Sequence, residues 1–249
     1  WAYAALVRRR AIKTGMPINV CVPSGNFGNI LSAYYAFRMG VPIDRFLCAS
    51  NRNNVLSDFF STGRYDARRE LYLTNSPSMD IIVSSNLERL LYHLSEGNAA
   101  LVASLMHSLE EDGVYDAKGA LGKDIEKFVP GWAGESEITD SIGDFYRQTG
   151  YLMDTHTAAG YKVARDYIGT PSKGGADIPM VVASTASPYK FSEVVLSAIG
   201  GSSCGSAPDS IESLHAATGM DIPVGLASLR GAAIRHPGVI SVSEMKSAL

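Results

Sequence analysis

The seven residues that bring the most chemistry together in this sequence are Pro23-Ser24-Gly25-Asn26-Phe27-Gly28-Asn29. They follow an apolar, β-like segment over residues 18–22 and lead into residues 30–37, whose apolar side chains recur at the spacing of one buried helical face. A strand, a polar loop with glycines and then a helix can hold a phosphate. Glycine lets the backbone approach closely, and the first N–H groups of a helix have no intrahelical acceptor.

The composition of this loop narrows the kind of phosphate site. It lacks the Gly-Lys-Ser/Thr of a P-loop and the third glycine of the dinucleotide fingerprint. One hydroxyl, two side-chain amides and two glycines provide donors without charge. Such donors suit a phosphate that stays bound as part of a cofactor. The alternative is an ordinary strand-to-helix turn in which Ser24 or Asn26 caps the helix.

A second polar segment, Ser184-Thr185-Ala186-Ser187-Pro188, comes at the end of a predicted strand over residues 179–184. Ligands of open α/β sheets collect beyond the carboxyl ends of the strands, so this segment is a candidate part of the same site. Ser187 needs no role beyond capping the helix that Pro188 begins. The sequence around Lys190 shows neither burial nor cationic neighbours, so we expect a solvated residue or a phosphate counterion rather than a reactive lysine.

Two further groups of residues are candidates with structural alternatives. Asn86 and Arg89 lie one turn apart on a helix that begins with the capping-box pattern Ser85-Asn86-Leu87-Glu88. They form either a solvent-facing surface or a substrate-binding pair, since arginine binds carboxylates and phosphates through paired N–H groups. His156 begins another helix, with Thr155 as its predicted N-cap, and we expect a structural histidine there. The other histidines lack clustered partners, so no metal site is predicted: His93, His107, His215 and His236.

Composition excludes several classes of function. The 249 residues contain 46% hydrophobic residues, enough for a sizeable core, and the net charge of −3 provides no basic field for nucleic acid. No apolar run approaches the roughly 20 residues of a membrane span. The first residues of the sequence do not have a signal-peptide pattern. The three cysteines lack metal-ligand spacing, which indicates reduced thiols. We therefore expect a cytoplasmic protein.

The order of the predicted elements indicates a layered α/β fold with parallel strands. Strands are predicted over 17–22, 45–50 and 179–184, and helices over 1–8, 29–39, 53–62, 85–93, 98–109, 139–148, 156–168 and 189–199. Residues 80–135 are mainly helical by pattern, with breaks at Pro130-Gly131 and Gly134-Glu135, and residues 202–210 form a predicted linker. We expect an α/β domain over 1–79, a helical insertion lobe over 80–135, and the remainder of the α/β domain with a helical tail over 136–249.

Several segments resemble, in the same order, the threonine synthases, which use pyridoxal 5′-phosphate (PLP) in a fold-type-II scaffold similar to tryptophan synthase β. Ser24-Gly25-Asn26-Phe27-Gly28-Asn29 resembles their phosphate-binding loop. Asp154-Thr155-His156-Thr157-Ala158-Ala159-Gly160 and Ser184-Thr185-Ala186-Ser187-Pro188-Tyr189-Lys190-Phe191 resemble two later motifs. The resemblance also includes residues 36–43, 46–53, 78–81 and 84–89, so that it spans nearly the whole chain.

The resemblance implies an incomplete layered parallel-sheet PLP domain and, for the full-length enzyme, conversion of O-phosphohomoserine and water to threonine and phosphate. It implies that Thr185 presents its hydroxyl to the pyridine nitrogen of PLP, and that Asn86 and Arg89 lie near the substrate. The family usually has His where this chain has Ser187, and Pro where it has Thr155. The cofactor-binding residues implied are Ser24, Gly25, Asn26, Phe27, Gly28, Asn29 and Thr185.

The sequence begins inside a predicted helix at Trp1, and the resemblance implies an upstream part of the same polypeptide that holds the Schiff-base lysine. No catalytic residue is therefore expected in this chain, and the isolated chain is expected to be inactive. Two alternatives stay open. One is another fold-type-II PLP lyase acting on a phosphorylated or hydroxylated amino acid. The other is a non-catalytic module that binds a phosphate ligand.

Overall fold

The computed structural model of the chain describes residues 1–170, 177–202, 207–229, 231–235 and 237–247. In these residues the strands are β1 (Ile18–Pro23), β2 (Ile43–Ser50), β3 (Arg64–Asp66), β4 (Val114–Asp116), β5 (Phe128–Trp132) and β6 (Met180–Val182). The α-helices are α1 (Ala2–Arg8), α2 (Gly28–Arg38), α3 (Val55–Thr62), α4 (Leu87–Leu94), α5 (Ala99–Asp112), α6 (Glu135–Thr149), α7 (Thr155–Ile168), α8 (Ser192–Ala198), α9 (Ala207–Thr218) and α10 (Val224–Ala227). His236 and positions 203–206 of the predicted linker lie outside the described residues.

A parallel sheet with the strand order β5-β2-β1-β6 organises the fold, and β3 pairs with β4 in a separate antiparallel ribbon. Because the four strands run in the same direction, their carboxyl ends share one edge of the sheet. The loop after β1 and the loop after β6 therefore meet at that edge. The predicted layered α/β architecture with parallel strands is confirmed.

Helices cover both faces of this sheet, which explains why its two central strands are mainly apolar and largely buried. On one face Phe46 packs with Ile30 of α2, and on the other face Leu47 packs with Val163 of α7. Neighbouring residues of a strand point to opposite faces, so one short segment of β2 supplies both layers.

One strand of the sheet comes from within residues 80–135, the segment predicted to be a mainly helical lobe. β5 pairs with β2, so the predicted chain break at Pro130-Gly131 was wrong. An edge strand tolerates proline because one side of its backbone needs no partner. Gly131 is required for packing, since a Cβ there would lie 2.5 Å from Cγ1 of Val163. The division of the chain into the three predicted parts stays a prediction.

The predicted N-cap of α7 was wrong. The helix begins at Thr155, and its N-cap is Asp154, whose carboxylate accepts the N–H groups of His156 at 2.9 Å and Thr157 at 3.3 Å. Aspartate is among the preferred N-cap residues because its carboxylate can accept hydrogen bonds from the free N–H groups of the first turn.

The predicted capping box at the start of α4 was also wrong. The N-cap is Asn86, and no side chain caps the helix. The Ser85 hydroxyl lies 3.4 Å from Oδ1 of Asn26, and the Asn86 amide donates to the carbonyl of Asn26 at 2.7 Å. The side chains that could have capped α4 instead attach it to the loop after β1.

The other predicted elements agree with the structure to within a few residues. α6 begins earlier than predicted, at Glu135, because Glu137 accepts the N–H of Gly134 at 2.9 Å and extends the first turn. The helix predicted over 189–199 is a 3₁₀ turn, Pro188–Phe191, followed by α8. The thiols of Cys21 and Cys48 are free and buried. In the described ranges every helix is too short or too polar to cross a bilayer.

Candidate functional site

A pocket of about 360 Å³ lies at the carboxyl edge of the sheet, where β1 and β6 end. This volume falls within the roughly 300–1,000 Å³ of small-molecule sites. The pocket brings together all the predicted cofactor-binding residues and one of the two predicted substrate-binding residues: Ser24, Gly25, Asn26, Phe27, Gly28, Asn29, Thr185 and Asn86. The remaining lining residues are Pro23, Ser78, Met79, His156, Ala186 and Lys190.

The backbone of the loop after β1 presents a row of free donors. Among the residues that the structure describes, no acceptor takes the N–H group of any residue from 25 to 29. α2 also begins without a side-chain cap, so Ser24 and Asn26 do not cap it as the alternative of an ordinary turn requires. Successive free N–H groups at a helix start attract anions, and the helix dipole adds roughly 0.3–1 kcal/mol per favourable charge.

Phe27 attaches this loop to the core. Its backbone has φ of 64°, in the left-handed region, which costs an L-residue roughly 1–2 kcal/mol. Its ring is buried and lies 5.7 Å from the ring of Phe60 and 6.0 Å from that of Phe128. Burial of the ring offsets the backbone strain. Phe27 therefore contributes its backbone to the pocket, and its side chain belongs to the core.

Gly25 is the point at which the loop meets the 3₁₀ turn Pro77–Met79. A Cβ on Gly25 would lie 3.0 Å from the carbonyl oxygen of Ser78 and 3.2 Å from Cα of Met79. Both are backbone atoms, which cannot rotate away as the end of a side chain can. The close approach of these two segments therefore requires glycine. The Ser84 hydroxyl secures the same loop by donating to the carbonyl of Gly25 at 2.8 Å.

Ser24 lines the pocket, but both of its donors are engaged inside the protein. Its N–H donates to the carbonyl of Ala49 at 2.8 Å, and its hydroxyl donates to the carbonyl of Val22 at 3.0 Å. A bound phosphate would gain the hydroxyl of Ser24 only if that group rotated away from Val22. Ser24 thus differs from residues 25–29, whose N–H groups are free.

Asn86 and Arg89 differ in their relation to the pocket. Asn86 lines it beside the loop, where its amide is bonded to Asn26. Arg89 is exposed and lines a neighbouring depression with Tyr35 and Tyr92. The guanidinium of Arg89 donates to Oδ1 of Asn86. In the described structure Arg89 therefore reaches the pocket through Asn86, and its substrate-binding role stays a prediction.

His156 connects α7 to the 3₁₀ turn at the pocket wall. Its Nε2 accepts the N–H of Ser78 at 3.0 Å, so this nitrogen carries no proton. The ring proton is then on Nδ1, which lies 3.1 Å from Oδ1 of Asp154. The ring is also packed against Phe191, with 4.7 Å between centroids. The expectation of a structural, hydrogen-bonded histidine agrees with this geometry.

Asp154 extends the same network to the predicted ring-nitrogen contact. The Thr157 hydroxyl donates to Oδ2 of Asp154 and accepts the N–H of Thr185 at 3.3 Å. Burial alone would raise the pKa of Asp154, but hydrogen bonds from His156 and Thr157 lower it below its usual value. The charged carboxylate thereby holds the backbone of Thr185 in place and leaves its hydroxyl outside the network.

Lys190 gives the pocket its charge. Among the lining residues in the described part, it carries the single positive charge at neutral pH, and no lining residue is acidic. Its side chain is exposed and its Nζ lies 5.9 Å from the centroid of the Phe191 ring. An exposed ammonium agrees with the expectation of a solvated residue or counterion, and the electrostatic balance of the pocket favours an anion.

A larger cavity of about 710 Å³ lies between the carboxyl ends of α2 and α4. It contains none of the predicted site residues, and its charged residues have both signs: Arg38, Glu96, Lys123 and Asp124. We assign the candidate site to the smaller pocket, because residues 25–29, whose N–H groups are free, line it.

The sequence analysis did not identify Ser78 and Met79 as lining residues, and it treated His156 as structural. Residues 78–81 belong to a segment that carries the family resemblance, and Asp154 before His156 is a preferred cap residue. Neither signal shows that Ser78 and His156 meet, because that contact joins segments distant in sequence.

Known proteins match this chain over most of its length. The family model described as threonine synthase, C-terminal, matches residues 157–220. Threonine synthase-like 1 of Homo sapiens is 42% identical over 200 residues, which cover 80% of this chain and 26% of the relative. Threonine synthase of Pseudomonas aeruginosa is 38% identical over 189 residues, covering 74% of this chain and 39% of the relative. The crystal structure of PLP-bound threonine synthase from Brucella melitensis has a TM-score of 0.72 at 34% identity, covering 86% of this chain and 44% of that chain.

The parallel sheet covered by helices, with a pocket at the carboxyl ends of its strands, defines an α/β domain with the fold of PLP-dependent enzymes. The chain is related to the threonine synthases and corresponds to the C-terminal portion of the full-length proteins. It spans 26% and 39% of the lengths of the two curated relatives described above.

Proposed function

We propose that residues 25–29 hold the phosphate group of PLP and that the full-length protein is a PLP-dependent lyase of the threonine synthase type. The row of free N–H groups at the start of α2 carries this proposal. A phosphate dianion needs several donors and no carboxylate among its contacts. The free N–H groups of residues 25–29 and a described lining without acidic residues support this assignment. Lys190 adds a positive charge, and Ser24 adds a donor if its hydroxyl rotates.

The other lining residues take roles that follow from their chemistry. Thr185 presents its hydroxyl to the pyridine nitrogen, and a hydroxyl, unlike a carboxylate, leaves that nitrogen unprotonated. Asn86, with Arg89 bonded to it, approaches the carboxylate or phosphate of the substrate. When bound, PLP supplies the electron sink for the reaction. This chain positions the cofactor and compensates the negative charge of its phosphate group.

For the full-length protein we propose O-phosphohomoserine and water as substrates, and threonine and phosphate as products. The Schiff-base lysine lies in the N-terminal part of the polypeptide, so this chain provides no catalytic residue and is inactive by itself. We keep the three-part division at residues 79/80 and 135/136 and the cytoplasmic location as proposals. The free, buried thiols of Cys21 and Cys48 support that location.

The proposal is tested by comparing PLP with pyridoxal, which lacks the phosphate, as ligands of the full-length protein. We expect PLP to bind at least about tenfold more tightly, since charge-assisted hydrogen bonds contribute roughly 1.5–3 kcal/mol each. Equal dissociation constants for the two ligands, measured by calorimetry, would contradict the phosphate site. Release of phosphate and threonine from O-phosphohomoserine tests the reaction separately.

The open alternative is another fold-type-II PLP lyase acting on a phosphorylated amino acid, one that eliminates phosphate without adding water at Cβ. The human relative is named threonine synthase-like 1 rather than threonine synthase. The same assay separates the two functions, because this lyase would release a 2-oxo acid and ammonia instead of threonine.

A further inference from the structure

We propose that Asp80 is a positioning residue for the phosphate loop: it holds the 3₁₀ turn Pro77–Met79 against Gly25 and thereby keeps the pocket open. The inference rests on the proposed function of residues 25–29. Asp80 does not line the pocket, so it acts through the turn and not on a ligand.

The carboxylate of Asp80 gathers four hydrogen bonds from two separate segments. Its Oδ1 accepts the amides of Asn51 at 2.7 Å and Asn53 at 2.9 Å. The same oxygen accepts the hydroxyl of Thr74 at 2.7 Å, and Oδ2 accepts the N–H of Thr74 at 2.9 Å. The carboxylate therefore ties the chain after β2 to the segment that precedes the turn.

The base of this network is fixed to the sheet. Asn51 and Asn53 directly follow β2 and are 1% and 4% exposed. The side-chain oxygen Oδ1 of Asn51 accepts the N–H of Asn53 at 2.9 Å, and Asn53 exchanges two hydrogen bonds with the backbone of Tyr72. The Asn51 amide also lies 2.8 Å from Oγ1 of Thr74 and 3.1 Å from Oγ of Ser76. These bonds orient both asparagines toward the segment before the turn.

The other end of the network touches the phosphate loop. Asp80 directly follows the turn whose Ser78 carbonyl lies against Gly25 and whose Ser78 N–H is bonded to His156. Ser78 and Met79 are themselves part of the pocket lining. If the carboxylate lost its donors, the turn would keep its bond to His156 and the longer contacts of Ser76 with the Asn51 amide, at 3.1 and 3.4 Å, but the bonds from Asn53 and Thr74 to Asp80 would be lost. The wall against Gly25 would then move, and the spacing of the free N–H groups would change.

Asp80→Asn is the direct test, because it conserves shape and replaces one of the two acceptor oxygens by an NH₂ donor. Either orientation of the new amide points an NH₂ group at an existing donor. Asp116→Asn is a matched control: Oδ1 of Asp116 also accepts a loop N–H, from Lys118 at 2.8 Å, and Asp116 does not line the pocket. Both variants are made in the full-length protein, and the dissociation constants of PLP and pyridoxal are measured for each.

We expect Asp80→Asn to weaken PLP binding about tenfold while changing pyridoxal binding by less than about twofold, and Asp116→Asn to change neither. A general loss of structure would weaken both ligands together. An unchanged ratio of the two constants in Asp80→Asn would overturn the role of Asp80. A wild-type protein that binds PLP and pyridoxal equally would instead overturn the proposed function on which the inference rests.

If Asp80→Asn does not fold, Thr74→Val provides the second test. This substitution removes the hydroxyl bond to Oδ1, together with the contacts of that hydroxyl with the Asn51 amide and the N–H of Ser76, and leaves the backbone bond to Oδ2 intact. We expect a smaller fall of about threefold in the preference for PLP over pyridoxal. A preference equal to that of the wild type would contradict the inference.

Discussion

Nε2 of His156 accepts the backbone N–H of Ser78 at 3.0 Å, although the two residues are 78 positions apart in sequence. This bond joins the start of α7 to the turn that lies against Gly25. Because Nε2 is an acceptor here, His156 is neutral and directs its one ring proton at Asp154. His156 therefore supports the wall of the pocket, and it needs no proton-transfer role to explain its position.

Replacement of His156 by leucine is expected to lower the free energy of unfolding by about 1–3 kcal/mol, because the buried carboxylate of Asp154 loses a hydrogen bond and the N–H of Ser78 loses its acceptor. His156→Gln keeps an acceptor on a side chain of similar reach and should lose less. His107→Leu, on the exposed side of α5, is the control. Urea unfolding of the three variants checks this order, and an equal loss for His107→Leu would contradict it.

The Asp154 carboxylate should contribute a pH-dependent part of the stability. Its folded pKa lies below the unfolded value of about 3.9, so its contribution is complete above that value and disappears as the pH falls through the folded pKa. Asp154→Asn removes the titrating group. The difference in unfolding free energy between wild type and variant should be constant from pH 7 to about 5 and shrink below about pH 4. If this difference grew as the pH fell, the pKa of Asp154 would be raised in the folded protein, contrary to the prediction.

Gly25→Ala should destabilise the protein by about 1–3 kcal/mol, because the new methyl group meets the backbone of Ser78 and Met79. Gly225→Ala is a suitable control, since a Cβ there meets nothing within 4 Å and the residue lies in α10. Thermal or urea unfolding measures both variants. The explanation by close packing fails if the two substitutions have the same effect.

Lys190→Met should weaken PLP binding by the full-length protein about two- to fivefold, as expected for the loss of one exposed ion pair. The salt dependence of the dissociation constant should fall at the same time, because screening acts on charged groups. Lys123→Met removes an equal charge from the other cavity and should leave both quantities unchanged. A strong loss with unaltered salt dependence would indicate a role other than charge compensation.

Local pattern predicted the elements that depend on neighbouring residues. The strand at 18–22 and the helix after Gly28 follow from hydrophobic periodicity. Pattern failed where a distant partner decided the outcome. Pro130 and Gly131 look like a break, yet they form an edge strand because β2 and α7 supply the partners. Ser85 looks like a cap, yet its hydroxyl faces Asn26.

The amino-acid order by itself determined which groups are available: two glycines, two amides and a hydroxyl before a helix, and a threonine after a later strand. Those are local properties, set by side-chain chemistry and by hydrogen bonds within a few residues. Tertiary structure alone decided that the N–H of Ser24 is bonded to Ala49, that Phe27 is turned into the core, and that Ser78 meets His156. Such contacts depend on the packing of segments far apart in the chain, so a local sequence pattern cannot predict them.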